Sequence, residues 1–274
     1  PVPVENVLGE VGRGHVIALN VLNIGRFELG PNMLAGARHV LHASLEYAAQ
    51  RVAFSQAIST FGAIQEKLAD CVIRMFDSES VTWRVVGLIE ADTRRRLPLA
   101  ANRQAAELAA FEEFAAECSL VKILSSEMLD AVADHGVQIH GGFGYHRDYL
   151  VERAYRDARI NRIFEGTNEI NRLIVPGLFA RRAQRAGRRL PSSLALTASA
   201  SAAGLTPATD AADIVVRLRL LAQLLFALVQ ERHGDTMREP QEVVMCLADV
   251  LLEAFTAESA HLRAQTMAGT TAGA

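Results

Sequence analysis

Apolar side chains recur along most of this chain at intervals of three and four residues, the spacing that places them on one face of an α-helix. Between Ile64 and Met75, for example, they occupy positions 64, 68, 71, 72 and 75. The strict alternation typical of strands is nearly absent. The pattern predicts an all-α fold with helices over residues 12–23, 32–54, 61–95, 104–139, 150–159, 168–186, 213–233 and 240–265.

The longest of these predicted helices follow one another through short connections, which favours an up-down helical bundle. Pro31 separates the first two, because a proline lacks the N–H that would bond to the preceding turn. Residues 188–211 are rich in Ser, Ala, Thr and Pro, a composition typical of a linker. The chain is therefore predicted to contain a bundle at 12–187, a linker at 188–211 and a partial second helical domain at 212–274.

Both ends of the chain indicate a fragment. Residues 1–11 lack a starting Met and resemble the end of another element, and the sequence stops in a run of small residues at 268–274. The N-terminus has neither the basic region nor the apolar region of a signal peptide.

Charge and cysteine content exclude several function classes. A formal net charge of -3 and a pI near 6.3 argue against a general nucleic-acid binder, although a local basic patch stays open. The three cysteines, Cys71, Cys118 and Cys246, are far apart and lack the spacing of metal ligands or of a CxxC motif. This usage indicates a reduced compartment and predicts no metal site.

Three short segments have residues suited to ligand binding. The first, QIHGGFGY (Gln138–Tyr145), places two adjacent glycines after a long helix. The glycines allow close approach of another group, but for the segment taken alone a helix C-cap followed by a tight turn is the favoured interpretation. The pattern is not GxGxxG after a strand, so a dinucleotide-binding βαβ unit is not predicted.

The second segment, FEGTNEINR (Phe164–Arg172), places a carboxylate between an aromatic residue and a glycine, just before a helix. Thr167 or Asn168 caps that helix, whose free N–H groups suit a phosphate or a polar ring edge. A capped helix start with favourably placed acidic residues is the alternative. The third segment, RVAFSQAISTFGAIQ (Arg51–Gln65), offers an arginine beside turn-like connections, either as a phosphate contact or as a solvated helix end.

Taken together, the order and spacing of these segments resemble the C-terminal half of the acyl-CoA dehydrogenase family. The resemblance rests on RxxF at 51–54, QIxGGxGY at 138–145 and IFEGTNEI at 163–170, and it extends over residues 4–185. The helical stretches after residue 212 resemble the additional C-terminal region of the family's very-long-chain branch. This resemblance implies that 12–187 is an FAD-binding helical bundle and that 1–11 is the end of a missing β domain.

The resemblance also implies roles for individual residues. Glu165 matches the base that removes the α-proton of an acyl-CoA thioester while hydride passes to FAD, and loss of water around such a carboxylate would strengthen it as a base. Some family members carry the base at the position of Gly25, which excludes a second base here and leaves room for a long acyl chain. Asn23, Arg26, Phe164 and Gly166 match substrate-binding positions, and Arg51, Phe54, Gln138, Gly141, Gly142, Thr167 and Glu169 match cofactor-binding positions. The residues at 51, 54, 138, 141 and 142 would serve the FAD of a neighbouring subunit.

Some positions depart from the family pattern. Ser55 stands where glycine is usual, Gly62 stands where many members have a flavin-contacting Gln, and Glu169 replaces the Gln of some branches. This chain is expected to lack the family's N-terminal helical domain and middle β domain. In the family these domains supply one side of the FAD site, so tight binding of FAD is expected to require them.

The implied partners are acyl-CoA, electron-transfer flavoprotein as acceptor and a second copy of the chain, in a homodimer or a dimer of dimers, without nucleic acid. The implied location is a bacterial cytoplasm or the mitochondrial matrix. One alternative is a non-catalytic assembly module with a vestigial site. Another is that the basic run at 180–189 and the amphipathic stretch at 214–229 dock on an anionic membrane surface, rather than forming a linker and a packed helix.

Overall fold

The computed structural model describes residues 2–188, 191–202 and 210–271. It confirms the all-α prediction, and a short hairpin, β1 (Val52–Ala53) and β2 (Gln56–Ala57), follows the first helix. The helices are α1 (Gly14–Gln50), α2 (Gly62–Arg96), α3 (Arg103–Glu113), α4 (Ala115–His140), α5 (Leu150–Ile160), α6 (Asn168–Arg185), α7 (Ser193–Ala202), α8 (Ala211–His233) and α9 (Gln241–Thr271).

The predicted break at Pro31 is wrong, because α1 runs through Pro31 without interruption. A proline inside a helix costs about 3 kcal/mol. Both halves of α1 pack on neighbouring helices, with Met33, Leu34, Ala37 and Val40 buried in the core on the C-terminal side. Burial on this scale outweighs the loss of one backbone hydrogen bond.

The predicted helix at 104–139 is divided in two at Phe114, whose dihedral angles (φ -99°, ψ 24°) are not helical. The Phe114 ring packs against a buried cluster between α2 and α4 and lies under the guanidinium of Arg182, 5.5 Å from ring centroid to Cζ. These tertiary contacts determine the break, and no glycine or proline marks it in the sequence.

The helix predicted to end at Phe54 ends instead at Gln50, and the chain turns through the hairpin. Phe54 (φ 49°) and Ser55 (φ 66°) form its two-residue connection in the left-handed region. Hairpin turns with positive φ at both central positions match the twist of the two strands, so the turn is adopted although neither residue is glycine.

Helices α1, α2 and α4 form the centre of the bundle. Their close approach depends on Gly30, where the methyl group of an alanine would lie 2.5 Å from Val121 Cγ1 and 3.2 Å from Thr82 Oγ1. Gly136 serves the same purpose further along, beside Val40. The backbone of α1 is thereby held close to α4 at Gly30 and again at Val40.

Helix α9 packs along this bundle. Leu252 joins a buried cluster with residues of α4 and α6. Arg84 of α2 donates to Glu258 (2.8 Å), and Arg263 donates to Glu79 of α2 (2.7 Å). The predicted helical extension is therefore in direct contact with the bundle.

The segment predicted as a linker contains α7, whose Ser193 hydroxyl donates to the Glu231 carboxylate of α8 (2.6 Å). The remainder of this prediction falls partly on residues 189–190 and 203–209, outside the described residues, so the domain division stays a prediction. Helix α8 packs against α9 with Ala222, Phe226 and Ala227 buried, as expected for the packed-helix alternative. None of the helices described is long and apolar enough to span a bilayer.

We predict that Gly30→Ala lowers the free energy of unfolding by about 1–3 kcal/mol, because the added methyl group has to displace buried Val121. Urea denaturation of the variant and the wild type measures the difference.

Gly87→Ala is the matched control, since Gly87 lies on an exposed part of α2 with open space around it. It should stabilise the protein by about 0.5–1 kcal/mol through helix propensity. Equal effects of the two substitutions would contradict close packing at Gly30.

Candidate active site

The turn between α5 and α6 is the most strained backbone near the predicted site. Glu165 (φ 57°) and Gly166 (φ 80°) both adopt left-handed conformations. Glycine does so freely, whereas a residue with a Cβ is disfavoured there by about 1–2 kcal/mol. Contacts from outside the turn must therefore fix Glu165 in place.

Side chains from three helices supply those contacts. Arg26 Nε of α1 donates to the carbonyl of Glu165 (2.9 Å). Lys122 Nζ of α4 donates to the carbonyl of Gly166 (2.9 Å), as does Asn171 Nδ2 of α6 (2.8 Å). The carbonyl groups of both strained residues are thus held by donors, two of them cationic.

The carboxylate of Glu165 lies against the backbone of α1 at Gly25. A Cβ atom at position 25 would be 2.9 Å from Glu165 Cδ and 3.0 Å from each carboxylate oxygen. One of those oxygens, Oε2, is buried and has no hydrogen-bond partner. Because Gly25 has no side chain, the carboxylate of Glu165 fits against it. The sequence had suggested that this space would be left for a long acyl chain.

Asn23 and Arg26, predicted to contact CoA, are both buried, and Arg26 Nη1 donates to Asn23 Oδ1 (3.4 Å). Burial lowers the pKa of the Arg26 guanidinium. Arg26 holds the Glu165 carbonyl, so the structure gives it a positioning role. Its contact with CoA stays a prediction.

Thr167 and Glu169 lie at the start of α6. The Thr167 hydroxyl caps the helix by accepting the N–H of Ile170 (3.2 Å). Hydrogen bonds from its own N–H and from Thr167 lower the pKa of the exposed Glu169 carboxyl. Phe164, 40% exposed, precedes the turn, so an aromatic surface and a helix N-terminus flank Glu165.

A second predicted group lies at the other end of α1. Arg51, Gly141 and Gly142 line a cavity of about 730 Å³ together with Tyr47, Phe143, His146 and Tyr149, among others. The guanidinium of Arg51 is 5.6 Å from the centroid of the Phe143 ring. Gly141 has a positive φ (60°), and open space faces both glycines.

Gln138 and Phe54 border this second group without lining the cavity. The Gln138 carbonyl accepts the N–H of Gly141, while its side chain is exposed. The side chain of Phe54 is 91% exposed, and its ring lies edge-on to Phe61 at 6.2 Å. An aromatic ring presented in this way is available to a group from outside the protomer.

The structure does not bring the two groups together. Arg26 lies on α1, and Arg51 directly follows the last residue of that continuous helix, 25 positions further on. At 1.5 Å per residue, the two positions are about 37 Å apart along the helix axis. The Glu165 group and the Arg51 group therefore belong to separate surface regions of one protomer.

Several residues of the site were not predicted from the sequence: Lys122, Ser126, Glu127, Asn171 and Arg172. They form a polar network around Asn168, whose Nδ2 donates to Ser126 Oγ (3.0 Å) and Glu127 Oε1 (2.9 Å). Arg172 joins Glu127 (2.7 Å) to Asp249 of α9 (2.6 Å). The sequence feature that could have indicated this network is Lys122, a charged residue inside the apolar run CSLVKIL. Within the described ranges, no cluster of His, Cys, Asp or Glu could hold a metal ion.

Comparison with known proteins shows the family of this chain. Residues 12–176 match the family model "Acyl-CoA dehydrogenase, C-terminal domain". A probable acyl-CoA dehydrogenase of Bacillus subtilis is 40% identical over 274 aligned residues, which cover 96% of this chain and 46% of that protein. The rat mitochondrial very long-chain specific acyl-CoA dehydrogenase is 39% identical over 174 residues, covering 64% of this chain and 24% of that protein.

The crystal structure of an acyl-CoA dehydrogenase complexed with FAD from Bacillus anthracis superposes with a TM-score of 0.93. It is 39% identical, and the match covers 98% of this chain and 47% of that one. The chain thus spans about half the length of these bacterial relatives. Because the family model covers more than half of the chain, and because the fold agrees throughout, the chain belongs to the acyl-CoA dehydrogenase family.

Proposed function

We propose that the protein carrying this chain is an FAD-dependent acyl-CoA dehydrogenase with Glu165 as its base. The Glu165 carboxylate removes the proton from the α-carbon of an acyl-CoA thioester, and the electrons of that C–H bond form the α,β double bond as hydride leaves the β-carbon. FAD, when bound next to Glu165, would supply the acceptor for this hydride. The product is an α,β-unsaturated acyl-CoA.

The buried, unpaired Oε2 of Glu165 is the observation that carries this proposal. Buried carboxylate oxygens normally have hydrogen-bond partners, so an unpartnered one calls for an explanation, and a catalytic role is such an explanation. The strained backbone at Glu165 supports the same conclusion, because such strain persists where a side chain has to be aimed. A carboxylate held in this way is ready to accept a proton without first losing a hydrogen bond.

The residues of both groups suit FAD. Thr167 and Glu169 place polar side chains at the start of α6, next to Glu165, where a polar ring edge is expected to bind. At the other end of α1, the exposed Arg51 offers a bidentate cation for a pyrophosphate, and Gly141 and Gly142 allow close approach.

The separation of the two groups supports a homodimer as the functional unit. We propose that the Arg51 group of one protomer serves the cofactor next to Glu165 of its partner. The nearly complete exposure of Phe54 fits this arrangement, because its ring would be covered only in the assembled dimer.

We also propose that long to very long acyl-CoA thioesters in fatty-acid β-oxidation are the substrates. The identity to the rat very long-chain specific enzyme is 39%, compared with 34% to the human short-chain specific enzyme over a similar length. Electron-transfer flavoprotein is the proposed acceptor. An electron transferring flavoprotein structure from Acidaminococcus fermentans contains a chain that matches at 29% identity and a TM-score of 0.55.

We predict that Glu165→Gln lowers kcat by roughly 10²–10⁴-fold, because the amide cannot accept the α-proton while its shape is preserved. Turnover of an acyl-CoA with a dye acceptor measures the loss.

Glu107→Gln is the matched control, since Glu107 lies half-buried on α3, away from Glu165 in the sequence, and pairs with Arg103; it should retain full turnover. Near-full turnover of the Glu165 variant would contradict the assigned mechanism. A purified full-length protein without a flavin spectrum would favour the non-catalytic assembly module.

We expect kcat/KM to be highest for the long members of a series of saturated acyl-CoA thioesters from short to very long. The same dye assay at fixed enzyme concentration checks this preference. A maximum at the short members would contradict the proposed substrate class and leave the role of Glu165 intact.

A mixed dimer of one Glu165→Gln protomer and one Arg51→Ala protomer should recover about half of wild-type turnover. In a two-fold dimer with sites shared between protomers, one of its two sites then contains both native residues. Co-expression with two affinity tags isolates the mixed dimer for assay against both homodimers. Turnover no higher than the mean of the homodimers would show that the two groups do not cooperate between protomers.

A further inference from the structure

We propose that Lys122 is a positioning residue for the catalytic base. Its ammonium group, buried beneath the Glu165–Gly166 turn, fixes the carbonyl of Gly166 and the side chain of Asn168 and so keeps the Glu165 carboxylate aimed at Gly25. The catalytic part of this inference rests on the proposed function.

The burial of Lys122 is the first argument. Its exposed fraction is 0%, and its neighbours along α4, Leu120, Val121 and Ile123, are buried to the same degree. A charged side chain in such surroundings costs free energy unless it is fully hydrogen-bonded, and an apolar residue of similar size would fill the space without that cost. Its presence therefore indicates a purpose other than core packing.

The contacts of the ammonium supply that purpose. Lys122 Nζ donates to Gly166 O (2.9 Å) and to Asn168 Oδ1 (2.6 Å). Asn168 is the first residue of α6, and its own N–H donates to the carbonyl of Arg162 before the turn (3.1 Å). Lys122 thus joins the end of the turn to the start of the following helix and fixes the path of the chain through Glu165.

Arg26 provides a second cationic contact to the turn, through the Glu165 carbonyl. With two cationic donors on successive carbonyls, neither peptide plane next to the left-handed residues is free to rotate. Charge-assisted hydrogen bonds of this kind are about twice as strong as neutral ones. The loss of either cation should therefore allow the carboxylate to move.

The charges that face Lys122 come from each element around it: Arg26 on α1, Glu127 on α4, Glu165 in the turn and Glu169 on α6. Burial, followed by the charge of Arg26, lowers the pKa of Lys122 to about 8, against the raising effect of the three carboxylates. The ammonium should therefore lose its proton in mildly alkaline solution, and kcat should decline as it does.

The same titration predicts how stability changes with pH. The pKa of Lys122 in the folded protein is below that of an unfolded lysine, about 10.4. Between the two values the unfolded chain binds more protons, so rising pH stabilises the wild type. Lys122→Met, which has no such group, should lack this gain in thermal melts between about pH 8 and pH 10.

The test compares Lys122→Met, Lys122→Gln and Lys67→Met in the FAD-loaded, full-length protein. Lys67 is the one other lysine in the sequence and lies half-buried on α2, so its variant is the matched control. We expect Lys122→Met to lower kcat about 10- to 100-fold with little change in KM, because the lost hydrogen bonds position the base rather than bind substrate. Lys122→Gln retains a donor, so it should recover part of kcat and show no alkaline decline.

An NMR titration of lysine Cε gives a readout that does not depend on activity or on folding of the methionine variant. The Lys122 signal should titrate near pH 8, and Glu165→Gln should shift it lower because a nearby negative charge is removed. The proposal would be overturned if Lys122→Met kept the kcat and the pH profile of the wild type. It would also be overturned if the Lys122 signal titrated like that of an ordinary lysine and Glu165→Gln left it unchanged. A wild type that shows the NMR coupling but no dehydrogenation would instead contradict the proposed function alone.

Discussion

Side chains from three helices meet at the carbonyl groups of Glu165 and Gly166: Arg26 from α1, Lys122 from α4 and Asn171 from α6. The left-handed conformation of Glu165 is unfavourable by itself and persists only while these donors hold the peptide groups of the turn. The direction of the carboxylate therefore depends on the relative placement of three helices. The remainder of the bundle can be understood as the frame that sets this placement.

Close packing of α1 on its neighbours provides the frame. Gly30 and Gly136 remove side chains where α1 meets Val121 and where α4 meets Val40. Helices that approach this closely have little freedom to slide, because interiors are packed at the density of organic crystals. The two cations are thereby kept at the carbonyl groups of one turn, and Gly25 is kept against the carboxylate.

The length of α1 has a second consequence. It places Glu165 at one region and the Arg51 cavity at another, too far apart for one ligand to contact both within a single protomer. A long continuous helix thus favours a site completed by a second copy, with the exposed Phe54 at the shared boundary. Rigid attachment to α1 would then fix both halves of each site at once.

The sequence by itself determined the helical class, the bounds of helices such as α2 and α5, and the residues of the motifs, because these depend on local periodicity and on residue types at short spacing. Only the tertiary structure decided that α1 passes through Pro31, that Phe114 divides α3 from α4, and that Lys122 contacts the turn that contains Glu165. These features depend on contacts between residues far apart in the chain, such as Lys122 with Gly166, which no periodicity encodes. Glu165 could be chosen from its motif, but its aim at Gly25 follows from the packing of helices, because hydrogen bonds from three of them are needed to hold a left-handed residue in place.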